Sequence, residues 1–341
     1  MKNLLSQSVP LSSDTLYTGW RVFILLACYN GARYVEEQIR SIQAQHFSDW
    51  VLIVRDDGSR DDTVEIIQRL TQEDARIHLL DDRIGNLGVS GNFSELMQYA
   101  LMREADYVFF SDQDDIWNPD KLGVMLAAMR EMEATEGNRL PLLVYSDLAV
   151  VDAQKKMIAP SFLKYVKRSP AHTNLGVLLA QCQVVGCACL VNRAALDLAC
   201  PVPQGAWMHD WWLAILCAAV GRIGYVEQPL VQYRQHGANV FGVKSFWYRV
   251  ARFLYSPKRW RDQISIVYRS ILQAGLVRER IRSRGAHPHF ESEQQLANYA
   301  NLLAVPAFKR LGILKACGSY RTMPLENAIF KLLLILQRRD G

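Results

Sequence analysis

The 341-residue sequence predicts an α/β fold, a mostly parallel sheet flanked by helices, followed by a basic helical extension. Three observations carry this expectation. Apolar, β-rich runs alternate with segments of helical period through the first half of the chain. Asp-, Asn- and Gly-rich clusters close those runs. The charge balance also changes sign along the chain: from Lys244 onward 18 basic residues stand against 6 acidic ones, net +12, whereas the first 243 residues carry net −7.

The elements follow in order. The run VFILLACYN (22–30) ends in turn residues and precedes the helical pattern of ARYVEEQIRSIQAQ. WVLIVRDDGS (50–59) leads to a helix starting near Asp62, where Glu65 gives a capping-box spacing. IHLLDD (77–82) leads through GNLGVSGN to the helix FSELMQYALMR. YVFFSDQDD (107–115) leads to a helix with Asn118 as cap and Pro119 in the first turn. Further strands are expected in 142–152, 184–193 and 221–237, with a helix from about Asp210 to Val220. Residues 1–20 read as a polar leader, 21–242 as the main α/β domain and 243–341 as the basic extension. In such sheets a ligand lies beyond the carboxyl ends of the strands. CYNG, RDDGS, DDRIGN and SDQDD all fall there.

The opening MKNLLSQSVPLSSD lacks the basic and apolar regions of a secretory signal. The longest apolar stretches are too short for a bilayer span, which takes roughly 20 residues, or are broken by Gln181 and Gln183. A cytoplasmic protein is expected. The seven cysteines sit mostly in apolar runs without paired spacing, so they read as buried reduced thiols. Cys187 and Cys189 read as small strand residues rather than as metal ligands.

The stretch FFSDQDDIWNPDKL (109–122) delivers three acids behind four apolar residues. In an extended strand end, residues two apart point the same way, which would set Asp112 beside Asp114 and turn Gln113 and Asp115 elsewhere. Adjacent carboxylates repel unless a cation lies between them. Hard oxygen donors select Mg²⁺ or Mn²⁺ over zinc, and such ions commonly complete their shell with a substrate phosphate. An isolated DxD is more often a helix cap or a solvated loop; its position at the sheet's ligand edge favours metal here.

CYNGARYVEEQIRSI, VRDDGSRDDT, GNLGVSGNF, FSDQDDIWNPDKL and MHDWWLAI…YRQHGANV, in this order, resemble the family 2 glycosyltransferases, most nearly the rhamnosyltransferase-like enzymes of bacterial O-antigen and capsule assembly. The resemblance covers about residues 20–242. It implies a GT-A fold, a UDP- or dTDP-sugar donor, a divalent metal at the DxD and inversion at the anomeric carbon. By position, Tyr29 and Asn30 would touch the nucleotide, together with Gln113. Asp57 would accept the imide N–H of a uracil or thymine ring. Asn86, Gly88 and Asn92 match a loop that closes over the donor. Asp112 and Asp114 would serve the metal, with Asp112 also near the ribose.

His209 and Asp210 stand where the family places an acidic pair, and Asp210 would be the general base taking the acceptor's proton. A helix N-terminal acid stabilised by the dipole is the structural alternative, and both roles can coexist. Arg234 and His236 would face the diphosphate or metal.

KSFWYRVARFLYSPKRWRD (244–262) interleaves aromatic and basic residues, which suits either an anionic membrane surface or packing on the core. The resemblance implies glycan or lipid-linked oligosaccharide acceptors. Nucleic acid is not expected, since the acidic main domain would repel a phosphate backbone. Two rival readings are a haloacid dehalogenase-like phosphatase using the DxD and a non-catalytic glycan- or membrane-binding module. Ile116 departs from the phosphatase motif.

Overall fold

The computed structural model describes residues 21–82, 84–236 and 257–337. The leader, the expected 242/243 boundary and the aromatic stretch Phe246 to Tyr255 lie outside the described residues.

Four strands pair in parallel, in the order β3 (Ile77–Leu80), β2 (Val51–Asp56), β1 (Val22–Cys28) and β4 (Tyr107–Ser111). The chain steps outward from β1 to β3 and then returns to the other flank of β1. The carboxyl ends of β1 and β4 therefore bound the crevice where such sheets bind ligands. Helices α1 (Val35–Gln43), α2 (Thr63–Glu73), α3 (Gly88–Met102) and α4 (Lys121–Glu136) connect or follow these strands. Ile24, Leu25 and Leu26 are wholly buried, the continuous apolar burial that a parallel sheet covered on both faces requires.

Beyond β4 the sheet is mixed. β8 (Cys189–Asn192) runs antiparallel to both β4 and β6 (Leu142–Asp152), β6 runs parallel to β9 (Arg222–Gln235), and β5 (Ile116–Trp117) pairs antiparallel with β9. A short β7 (Met157–Ala159) pairs with β6. The run 184–193, expected as one strand, forms a strand only at Cys189–Asn192, after a 3₁₀ turn at Gly186–Ala188.

Helix starts depart from expectation in three places. Asp62 makes no side-chain cap bond; Asp61 instead accepts the Thr63 N–H, while Thr63 Oγ1 accepts from Gly31 N–H at 2.7 Å. The start of α2 is thus tied to the loop after β1, and the capping box with Glu65 does not form. α4 begins at Lys121, with Asn118 Oδ1 accepting the Asp120 N–H at 3.1 Å. α3 begins at Gly88, which places Asn92 in a helix rather than a loop.

The second half adds α5 (Phe162–Tyr165), α6 (Leu175–Ala180), α7 (Arg193–Ala199) and α8 (His209–Val220). The basic extension folds as α9 (Pro257–Ser283), α10 (Phe290–Ala300), α11 (Ala307–Ala316) and α12 (Pro324–Leu336). Its described part packs on the sheet's helices: Ile271 and Val277 of α9, Tyr299 of α10 and Phe330 of α12 belong to the same buried cluster as β1. Trp260 is partly buried against it. Arg280 of α9 donates to the carbonyls of Leu198, Ala199, Cys200 and Pro201, supplying partners that the end of α7 lacks. Six of the seven free cysteines are buried. Among the described residues no helix is long and apolar enough to cross a membrane.

Candidate active site

The crevice edge is fixed by one amide. Gln113 Oε1 accepts from the Tyr29 N–H at 2.9 Å and Gln113 Nε2 donates to the Tyr29 carbonyl at 3.0 Å, joining the ends of β4 and β1. A Cβ on Gly31 would stand 2.2 Å from Gln113 Oε1 and would push the amide out of this position. Gln113 is therefore a clamp. The Tyr29 side chain remains 46% exposed beside it. Asn30 adopts a positive φ of 49°, which asparagine tolerates, and its Oδ1 accepts the Arg60 N–H.

Asp57 is 2% exposed and its carboxylate is engaged. Oδ1 accepts from Leu87 N–H and from the buried Arg55, and Oδ2 accepts from Gly88 N–H at 2.8 Å. Asn86 Nδ2 donates to the Asp57 carbonyl. Asn92 Oδ1 accepts from Arg55, while its amide nitrogen reaches the Cys28 and Arg55 carbonyls. Asp57, Asn86, Gly88 and Asn92 come together, with the Asp57 carboxylate and the Asn86 amide holding the 85–88 loop onto β2. A base approaching Asp57 would have to share or replace those bonds.

The acids after β4 are arranged differently from the strand-alternation argument. The strand ends at Ser111 and the chain turns at Gln113 and Asp114, so the alternation stops there. Carboxylate oxygens of Asp112 and Asp115 and the Cys187 sulfur lie within 4.8 Å of one another. Asp114 instead meets His236, Oδ2 to Nε2 at 2.7 Å, with the His236 ring tilted against Tyr34 at 4.7 Å between centroids. Burial, then the charges of Asp114 and Asp210, push Asp112 up to about 7. Asp115 is raised by burial and by both neighbouring acids, and its Oδ2 is a buried acceptor without a hydrogen-bond partner. Repelling carboxylates with a spare buried oxygen fit a hard divalent cation. The Cys187 thiol is pushed well above its ordinary value by burial and the same acids, so it stays protonated beside them.

Arg234 is engaged within the protein. It is 2% exposed; its N–H donates to Asp115 Oδ1, its Nε to the Asp114 carbonyl at 2.8 Å, its Nη1 to the Ala153 carbonyl, and its Nη2 pairs with Glu37 of α1. The guanidinium is the internal brace of the acidic turn.

Asp210 opens α8, and its Oδ2 accepts the Gly186 N–H at 3.1 Å. Burial raises it to about 6, against the lowering effect of its backbone donors. His209 packs between Phe93 and Phe110, with ring centroids 3.8 and 5.3 Å away. Burial takes it down to about 3, so it stays neutral and belongs to the wall. A Cβ on Gly186 would lie 2.9 Å from His209 Nε2, which reserves the position for glycine. Lys121, unnoticed in the sequence, is wholly buried. Its Nζ donates to the Cys187 carbonyl at 2.6 Å and lies 3.3 Å from the centre of the Trp117 ring. Burial lowers it to about 7.

Asp112 and Asp210 line one cavity of about 590 Å³. Trp207, Trp211, Arg168 and Gln181 form part of its wall, and α9 and α12 close it with Gln263, Leu325, Glu326 and Ile329, beside Arg321. The strand order and its crevice are those of a GT-A fold. Residues 23–138 match Glycosyl transferase family 2, and the chain carries a glycosyltransferase domain of that family.

Two relatives and one solved structure extend the likeness. A Nostoc glycosyltransferase is 27% identical over 223 residues, 64% of this chain and 66% of that protein. The dTDP-rhamnosyl transferase RfbG of Shigella flexneri is 24% identical over 268 residues, 75% of this chain and 88% of its own. The crystal structure of S. aureus TarS 1-349 in complex with UDP-GlcNAc superposes with a TM-score of 0.53 at 17% identity, covering 92% of this chain and 90% of that one, a likeness of fold. The family match displaces the phosphatase and non-catalytic readings.

Proposed function

We propose that the protein is an inverting, metal-dependent transferase that moves a sugar from a UDP- or dTDP-sugar to a hydroxyl of a glycan or lipid-linked oligosaccharide in surface polysaccharide assembly. Rhamnose is the sugar we favour, because the relative that aligns over most of the chain is named a dTDP-rhamnosyl transferase. The observation that carries the reading is the shared cavity. Asp210 lies close enough to Asp112 for its charge to be among those that raise it, so base and metal-side acid face one volume.

Asp112 and Asp115 would hold a Mg²⁺ or Mn²⁺ ion, with Asp114 braced by His236. When bound, that ion supplies charge neutralisation for a departing diphosphate. The nucleotide would lie along the crevice between Tyr29, Asn30 and the 85–88 loop. Opposite it, Asp210 accepts the proton of the acceptor hydroxyl as that oxygen forms its bond to the anomeric carbon, and the Gly186 N–H keeps its carboxylate aimed. Lifting Asp210 to about 6 leaves it ionised at neutral pH yet more basic than a solvated carboxylate. The catalytic domain is taken as 21–242, working at the cytoplasmic face of the membrane that carries the acceptor.

Thermal unfolding in the presence of Mn²⁺ and a panel of UDP- and dTDP-sugars tests the proposal. The correct donor at 100 times its Kd should stabilise the protein by about 2.7 kcal/mol. A panel without any shift, with and without metal, would sink it.

A further inference from the structure

The exposed side of the C-terminal helices is apolar where a soluble surface would be polar. On α12, Leu325, Ala328, Leu332 and Leu336 recur at helical spacing and all face outward, Leu332 at 44% and Leu336 at 62% exposure. On α11 the exposed large apolar residues are Phe308, at 79%, and Leu311. These stripes adjoin. Arg310 of α11 donates to the carbonyls of Leu334 and Gln337, and Gln337 Nε2 donates to the carbonyl of Ile264, whose side chain starts a third exposed stripe on α9 with Tyr268.

Along α11 and α12 the exposed charges bordering this face are basic, whereas Asp262 at the start of α9, exposed and lining the cavity, is acidic. Lys309 and Lys315 on α11 and Lys331 on α12 are exposed. α11 contains no acid, and the single acid of α12, Glu326, accepts from Gln181 in the cavity wall. Residues 257–337 carry 13 basic against 5 acidic residues. A protein partner that covered an apolar face of this kind would need matching acids, whereas an anionic bilayer offers both an apolar phase and a negative layer at one depth. Leu325 and Ile329 also line the cavity that holds Asp210, so the face begins at the cavity's lip.

We propose that the outer face of α11 and α12, continued by Ile264 and Tyr268, lies on an anionic lipid surface with the cavity opening toward it. A bilayer-held acceptor would then enter beside Leu325 and Ile329; this last point alone rests on the proposed lipid-linked substrate. The expected membrane segment of the sequence, 244–262, lies mostly outside the described residues, and the proposed face is a different one.

The test is cosedimentation of the full chain with vesicles of phosphatidylglycerol and phosphatidylcholine, against vesicles of phosphatidylcholine alone, read without any sugar donor. Binding is expected on the anionic vesicles only and should weaken with salt. The double variant Leu332→Glu/Leu336→Glu, at exposed sites that leave the core intact, should lower the bound partition at least about tenfold. Lys309→Glu/Lys315→Glu should do likewise while keeping the apolar stripe. Absence of binding by the unaltered chain, or binding by both double variants equal to that of the unaltered chain, would overturn the proposal. So would a dimer in light scattering that Leu332→Glu/Leu336→Glu splits, since a second copy would then own the face.

Discussion

Asp114 Oδ2 and His236 Nε2 lie 2.7 Å apart although 122 positions separate them in the chain. The contact closes the acidic turn against the end of β9, and Arg234, two residues earlier, grips the same turn through its backbone N–H and Nε. Asp112 and Asp115 are thereby held together against their own repulsion.

That repulsion can be measured. A carboxyl raised in the folded state opposes folding once the pH exceeds its unfolded value, so metal-free protein should become more stable as pH falls from about 8 toward about 5. Asp115→Asn should raise the metal-free Tm at pH 7.5 by about 1–3 °C and abolish any Mn²⁺-dependent stabilisation. Calorimetry with and without Mn²⁺ reads both effects. A lower Tm in the metal-free variant would contradict the account.

Proton competition follows from the same site. With Asp112 at about 7 before a cation binds, apparent Mn²⁺ affinity should fall as pH drops below that value and level off above it. Isothermal titration from pH 6 to 8, in buffers of different ionisation heat, should also show protons released on binding.

Asp210→Asn should cut transfer by about 10²–10⁴ while leaving donor-induced thermal stabilisation near that of the unaltered protein. In the unaltered enzyme, kcat should decline as pH falls through about 6, where Asp210 takes up its proton. A variant that loses donor binding instead would move Asp210 out of the role of base.

Lys121→Met should separate positioning from stability. The Lys121 ammonium holds the carbonyl of Cys187, next to the Gly186 N–H that aims Asp210. Losing it leaves a buried carbonyl unpaired, a cost of about 1–3 kcal/mol, offset in part because a desolvated charge disappears too. The expected signature is kcat reduced about tenfold with an unaltered donor KM, from misaimed general-base catalysis. A merely structural lysine would lower Tm and leave kcat per folded molecule unchanged.

Arg234→Lys distinguishes a brace from a phosphate contact. Removing the fork that spans Asp114, Ala153 and Glu37 should destabilise the fold by about 2–3 kcal/mol, less than a fully buried pair because Glu37 is partly exposed. A normal Tm with a raised donor KM would restore the phosphate role.

The sheet was legible because its strands are buried on both faces and each ends in residues suited only to turns; VFILLAC leaves little alternative to a central parallel strand. Asp57, Asn86, Gly88 and Asn92 were singled out through the family resemblance, as contacts to the donor rather than to one another. Their bonding was not legible, because Arg55 sits inside an apolar strand and only the fold shows that its charge consumes Asp57 and Asn92. Asp115 was assigned outward by assuming that the strand continued through the turn. Cys187 and Lys121 enter the site from 72 and 6 residues beyond Asp115 in sequence, and no local pattern marks a buried lysine whose partners are a carbonyl and an indole ring.

One wall of the cavity is built by Gln263, Leu325, Glu326 and Ile329, from helices that follow the catalytic sheet by more than twenty residues of chain. The sheet half and the helical tail thus cannot be exchanged independently between homologous enzymes without rebuilding the pocket they share.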